Sequence, residues 1–319
     1  MDQLKLILKF VFSHKLKYLV MVLATMVFVV LLFPFQDVGD SISSFVAKQT
    51  NNQVYLNFER LRTSFIPLSV GAEELSIETP QFPAISVQDI EITPSMGALI
   101  TQKPEGTLVA KGLFKGDVEV TVKPGKKTEA GLATHYLSLS AQRLSLAEIH
   151  KIAQLPMLLK GKVNLTASGT ADPTFADQPD FDVDLKVEQF ELPAGSVETQ
   201  MGPLNLPELR LSQVEIKGRL SAGRFNIERA IVGKDGDELA GTIKGGINLQ
   251  IQNRGRVAPV IGAYQFEIDL RVKRSLQDKA SLFLSFLENF KTPTADGARY
   301  QFKLNATSPE MPPSMSALR

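Results

Sequence analysis

The pattern nearest to a metal site is a set of three carboxylates at alternate positions, Asp180, Asp182 and Asp184. Oxygen ligands two residues apart can converge on calcium when they sit in a glycine-turned loop. Here they alternate with Phe181, Val183, Leu185 and Val187, and no glycine interrupts the run. That places the acids on the wet face of a strand. The histidines, His14, His135 and His150, are far apart, and none has metal-ligand spacing to another histidine or to an acid pair. The chain has no cysteine, which removes disulfides, thiolate metal sites and thiol catalysis together. No nucleophile elbow, phosphate loop or dinucleotide fingerprint occurs. Asn164-Leu165-Thr166 and Asn305-Ala306-Thr307 fit the glycosylation triplet, a pattern too frequent by chance to carry an argument. Lysine and arginine number 35 against 34 acids, so no net field draws nucleic acid or an acidic partner. The expectation is a binding or interaction protein: not an enzyme, with no cofactor, no metal and no nucleic acid.

The elements around those acids are mostly strands. Val54, Leu56 and Phe58 alternate with polar neighbours, as do Val118, Val120 and Val122. Ile85 and Val87 are in phase and Ile90 and Ile92 fall on the other parity, which predicts a bulge near Gln88-Asp89. Phe181 to Val187 alternates with acids and Lys186; Tyr264, Phe266, Ile268, Leu270 and Val272 alternate with Gln265, Glu267, Asp269 and Arg271. Tyr300, Phe302 and Leu304 repeat the theme. One apolar and one wet face is the mark of antiparallel sheet. Lys234-Asp235-Gly236-Asp237 predicts a hairpin turn, and Pro124 to Ala133 reads as a polar loop.

Three helices are predicted among the strands. Asp40 to Gln49 puts Ile42, Phe45, Val46 and Gln49 on one face. Ser145 to Leu155 opens with a capping box, Ser145 and Glu148. Ser275 to Phe290 opens with Ser275 and Asp278 and aligns Leu276, Ala280, Phe283, Leu284 and Leu287. Such faces suit a lid or a membrane-dipping helix, or simply a cover for open sheet.

Residues Tyr18 to Phe35 carry no charge, and as a helix would span ~27 Å, close to a bilayer's hydrocarbon core. Lys5, Lys9, Lys15 and Lys17 precede the run, while Asp37 and Asp40 follow it. By the positive-inside rule the N-terminus is cytoplasmic and the remainder outside. The expected organisation is a basic cytoplasmic segment 1–17, a transmembrane anchor 18–35, a β-rich periplasmic domain 37–307 and a flexible proline-bearing tail 308–319.

The anchor, a short helix and Gln49-Thr50-Asn51-Asn52-Gln53-Val54-Tyr55 opening a strand-rich domain resemble the start of AsmA-type bacterial envelope proteins. The stretch from Gly202 through Val214, with Ile216-Lys217-Gly218-Arg219-Leu220, Gly223-Arg224-Phe225-Asn226-Ile227 and Gly241-Thr242-Ile243-Lys244-Gly245-Gly246-Ile247-Asn248-Leu249, resembles the type II secretion system protein N family. The resemblance implies a single-pass inner-membrane accessory of the secretion machine, acting by protein–protein contact in the periplasm, with other secretion-system or envelope proteins as partners. The alternative it implies is an AsmA-like lipid-binding or lipid-transfer protein, with membrane lipid in an apolar β-groove. The residues alone leave open whether the sheet closes as a sandwich or barrel or curls into a trough; the resemblance implies the trough. The fold expected is mainly β: one transmembrane helix, then a large curled antiparallel sheet with a few short helices. Phe181, Val183, Leu185, Val187, Phe266, Ile268 and Leu270 would line its groove.

Overall fold

The computed structural model describes residues 35–50, 52–65, 67–80, 82–95, 97–98, 103–127, 133–153, 155, 157–199, 202–253 and 257–318, together with 20, 21 and 25. The described residues are mainly β, 64% strand, in one large antiparallel sheet with a few short helices. The strands in chain order are β1 (Tyr55–Asn57), β2 (Arg60–Phe65), β3 (Leu68–Glu78), β4 (Ile85–Pro94), β5 (Gly106–Leu113), β6 (Gly116–Lys127), β7 (Ala133–Ser145), β8 (Lys160–Ala171) and β9 (Asp180–Leu192). There follow β10 (Gly195–Thr199), β11 (Gly202–Leu206), β12 (Leu209–Ser221), β13 (Arg224–Val232), β14 (Leu239–Asn253), β15 (Val257–Lys273), β16 (Lys291–Thr294), β17 (Gly297–Ala306) and β18 (Ser314–Ala317).

The topology is close to a pure meander. From β3 to β9 each strand pairs antiparallel with the next. The separate hairpin β10–β11 is an excursion, after which β12 returns to β9 and the meander runs through β13, β14 and β15 to β17. β1 and β2 both pair with β3, and β16 and β18 both pair with β17. Local pairing explains the order, since a tight turn joins two antiparallel strands with little loop entropy. At the predicted turn, Asp237 N–H donates to the Lys234 carbonyl at 2.9 Å, and the Asp237 carboxylate accepts the Lys234 N–H at 2.8 Å.

Bulges cross the sheet at one level. Positive φ occurs at Glu74 (51°), Gly112 (78°), Arg143 (56°), Gly161 (141°) and Gln189 (53°), on β3, β5, β7, β8 and β9. Each breaks the alternation, so apolar residues three apart, such as Ala141 and Leu144, pack into one cluster. At the bulge predicted near Gln88-Asp89, Val87 and Ile90 do join one cluster, opposite Glu74, but the β3–β4 register runs on through Glu73–Asp89 and Leu75–Val87 without a shift.

The sheet is neither curled nor closed, which corrects the expected groove. Its terminal strands do not meet. The edges instead carry Arg60 and Arg62 on β2 and Pro293 on β16, features that discourage further pairing.

The expected single-pass inner-membrane placement, with a cytoplasmic N-terminus and a periplasmic domain, is also corrected. No described helix is long and apolar enough to cross a membrane. The helix Phe35–Gln49 has 15 residues, ~22 Å, and contains Asp37, Asp40 and Lys48, whereas a span needs ~20 apolar residues. Apart from Val20, Met21, Thr25 and Phe35, the run 18–35 lies outside the described residues, as does the basic segment 1–17.

The other helices cover sheet. Leu146–Ala153 forms without its capping box: Ser145 N–H donates to the Phe114 carbonyl at 2.8 Å, and Glu148 accepts from Lys115 and Lys151 at 2.8 and 3.0 Å. The predicted helix 275–290 divides into Arg274–Lys279, Ser281–Ser285 and a 3₁₀ turn Glu288–Phe290, and its apolar face packs as expected on Val272, Tyr300 and Phe302. The tail is not wholly flexible, because Ser314–Ala317 docks as β18 with Ala317 opposite Phe302.

Candidate functional site

The seven residues proposed to line a groove share one face of the open sheet, and the pairing register shows how. Residues directly opposite on antiparallel strands point the same way. One row therefore runs through Leu61, Ala72, Ile90, Ala110, Val118, Ala141, Leu165, Leu185, Ile216, Ala230, Ile243, Ile268, Phe302 and Ala317. It is apolar on every strand it crosses. At ~4.8 Å per strand its thirteen steps extend about 60 Å.

Three further rows flank it. Val187 stands between Val163 and Val214, in a row that reaches Leu270 and Tyr300. On the other side Val183 belongs with Val70, Ile92, Leu108, Val120, Leu139, Ala167, Gly218, Ile227, Gly245, Phe266, Leu304 and Met315. Beyond it Phe181 continues through Leu220, Phe225, Ile247 and Tyr264. The β9 and β15 patterns thus align across four strand spacings, about 19 Å.

These rows are covered unequally. Three buried clusters lie along the Val187 and Leu185 rows: Leu75, Val87 and Ala110; Ala141, Leu144, Val163 and Val187; and Val272, Ala298, Tyr300 and Phe302 with Leu276 and Ala280. Leu146 and Ile149 cap the middle cluster, and Phe283, Leu284, Leu287 and Phe290 cap the third. At the first, Gly39 lies against the Phe58 ring, where a Cβ would come within 2.4 Å of Cε2. In the Val183 row only Gly218 is buried, and Val70 and Ile92 are 48% and 50% exposed. Leu108 and Leu304 touch the clusters; the rest of that row does not. The Phe225 ring lies over Gly218, where a Cβ would meet its Cζ at 2.7 Å. Tyr264 and Phe266 stack with centroids 5.4 Å apart.

The opposite face is a ladder of ion pairs. Asp184 accepts from Lys217 at 2.8 Å, and the Arg219 fork takes both Asp180 oxygens at 3.0 and 2.8 Å. The suggestive acid triplet is therefore spent on neighbouring bases. Lys303 holds Glu267 at 2.8 Å, and Arg62 bridges Glu73 and Asp89. Hydrogen bonds from Arg299, reinforced by its charge and by Gln301, hold the Asp269 carboxyl below its ordinary value against the opposing effect of burial. Lys303 does the same for Glu267.

Among the described residues no group of His, Asp or Glu is placed to hold a metal ion. His135 lies on β7 and His150 on the helix Leu146–Ala153, apart from each other; His14 lies outside the described residues. Sequence reasoning missed a basic cavity where β7, β8, β9 and β12 meet, because its residues come from six separate stretches. The arrangement can hold apolar matter on one face and an anion at one strand end. No family model, curated protein or solved structure matches the chain.

Proposed function

We propose that the chain is a binding protein, not an enzyme, that shields acyl chains of a membrane lipid on the open rows of its apolar face. This is the lipid-handling function that the AsmA-like resemblance implies, transferred from a groove to an open face. The observation that carries it is the Val183 row: apolar across the sheet and without a buried side chain. Each apolar Å² withdrawn from water there stabilises a complex by ~25 cal/mol before association costs. An acyl chain needs no hydrogen-bond partners, which matches the Val183 row, whose side chains offer none.

The test is binding of the fluorescent fatty acid cis-parinaric acid by the full chain. Wild type is expected to bind, and Phe266→Glu to bind about tenfold more weakly with unchanged circular dichroism. No binding by wild type, or equal binding by Phe266→Glu, rejects the proposal.

A second function, protein–protein contact as an accessory of the secretion machine, draws support from β18. Its four residues are all exposed, and among the described residues its outer edge pairs with nothing. An extended segment of a secretion-system protein could add there as a strand. Ser316→Pro should abolish capture of such a partner while leaving fatty-acid binding intact; unchanged capture rejects this function.

A further inference from the structure

The structure assigns a second site, separate from the apolar rows, to an organic phosphate ester. A cavity of about 810 Å³ lies where β7, β8, β9 and β12 share one end. It begins past Val187, and Glu191 in its wall is eight residues along β9 from Val183, roughly 25 Å. It is built by the bulges: Arg143, Gly161 and Gln189, the positive-φ residues of three neighbouring strands, all line it. The register shifts there, between Ala141 and Leu144 and between Lys160 and Lys162, open the ladder and re-aim the flanking side chains. Gly161 is needed at its φ of 141°, where a Cβ would lie 3.1 Å from the Glu188 carbonyl oxygen.

Charge selects the ligand. Five bases line the cavity, Lys115, Arg143, Lys160, Lys162 and Arg210, against two acids, Glu191 and Asp237. Asp237 is already committed: burial pushes its carboxyl up, but hydrogen bonds from Lys234 and Ser212 outweigh that and hold it below its ordinary value. Four of the bases, each with an exposed side chain, pair with half-buried carboxylates, Glu148, Asp117, Glu191 and Glu208, at 2.7–3.3 Å. Lys162 has no ion pair with a described residue. Such partly exposed pairs are weak enough to be exchanged for a phosphate, which can accept from several bases together. Phe190 and Leu211 supply an apolar wall beside them, which fits an organic group on the phosphate.

Soluble esters and phospholipid headgroups share this chemistry, and two probes separate them. Calorimetry with sn-glycerol 3-phosphate, and co-sedimentation with phosphatidylcholine vesicles with and without phosphatidylglycerol, are run on the full chain. The variants are Lys162→Gln and Arg210→Gln, with Lys186→Gln as a control outside the cavity. Glycerol phosphate binding that falls about fivefold in Lys162→Gln and not in Lys186→Gln supports a soluble ester. Phosphatidylglycerol-dependent sedimentation lost in the same variant supports a headgroup. Binding of neither probe, or binding untouched by both cavity variants, overturns the site. Because Lys162 has no ion pair with a described residue, its variant should keep the wild-type circular dichroism and the wild-type affinity for cis-parinaric acid.

Discussion

The two ends of the apolar face are equal in composition and unlike in circumstance. Val187 and Val183 stand four residues apart on β9 and point the same way. Val187 is buried among Ala141, Leu144 and Val163 under the helix Leu146–Ala153, and is 8% exposed. Val183 has apolar neighbours on both adjoining strands but no described element packed over it. The first arrangement is a core and the second is a surface. Among the described residues, the helices that pack over apolar side chains do so at the Val187 end. A large uncovered apolar surface on a folded chain marks an interaction site.

The largest effect should come from charging the covered end. Val187→Glu buries an unpaired carboxylate in a dry cluster, at about 3–5 kcal/mol, a large share of a domain's total stability. Urea denaturation should show a loss of that order or an unfolded chain. A midpoint near wild type would mean that the cluster is open to water and that the contrast is false.

Val183→Glu, at the open end, should lose about 1 kcal/mol in the same measurement, since water reaches the new charge. A loss matching Val187→Glu would show that this row too is covered, by a second copy or by chain outside the described residues. Sedimentation of the two variants would then separate those covers.

The smallest effect concerns the wet face and depends on pH. Asp269 has its carboxyl pKa depressed by Arg299, so its contribution to stability is complete above the unfolded value of ~3.9 and is lost as pH falls through the lower folded value. Asp269→Asn should therefore lower the urea midpoint at neutral pH and flatten the acid limb below about pH 4. An unchanged acid limb would show that this pair adds nothing to the sheet, leaving burial at the covered end as its main support.

Much of the fold was legible because side-chain direction along a strand depends on position alone. Phe181 to Val187 and Tyr264 to Val272 were assigned to one face by their period, and every such residue is there in the register. The turn at Lys234 to Asp237 and the use of Asp180 to Asp184 as a wet face follow from equally local chemistry. The helix 275–290 was placed by its apolar stripe, although its interior breaks at Ala280 and Phe286 fell outside that reasoning.

Local pattern could not separate Leu185, which packs against the middle cluster, from Val183, which does not. Both are apolar, half-buried and in phase. The sequence by itself determined which residues share a face, because alternation is a property of the single strand. Only the tertiary structure decided that β12 returns to β9 past the β10–β11 hairpin, that the last strand docks on β17, and that the sheet stays open. It alone brought Lys115, Arg143, Lys160, Lys162 and Arg210 around one cavity. Those outcomes depend on pairings between residues distant along the chain and on bulges whose offsets accumulate from strand to strand, quantities that no window of neighbouring residues contains.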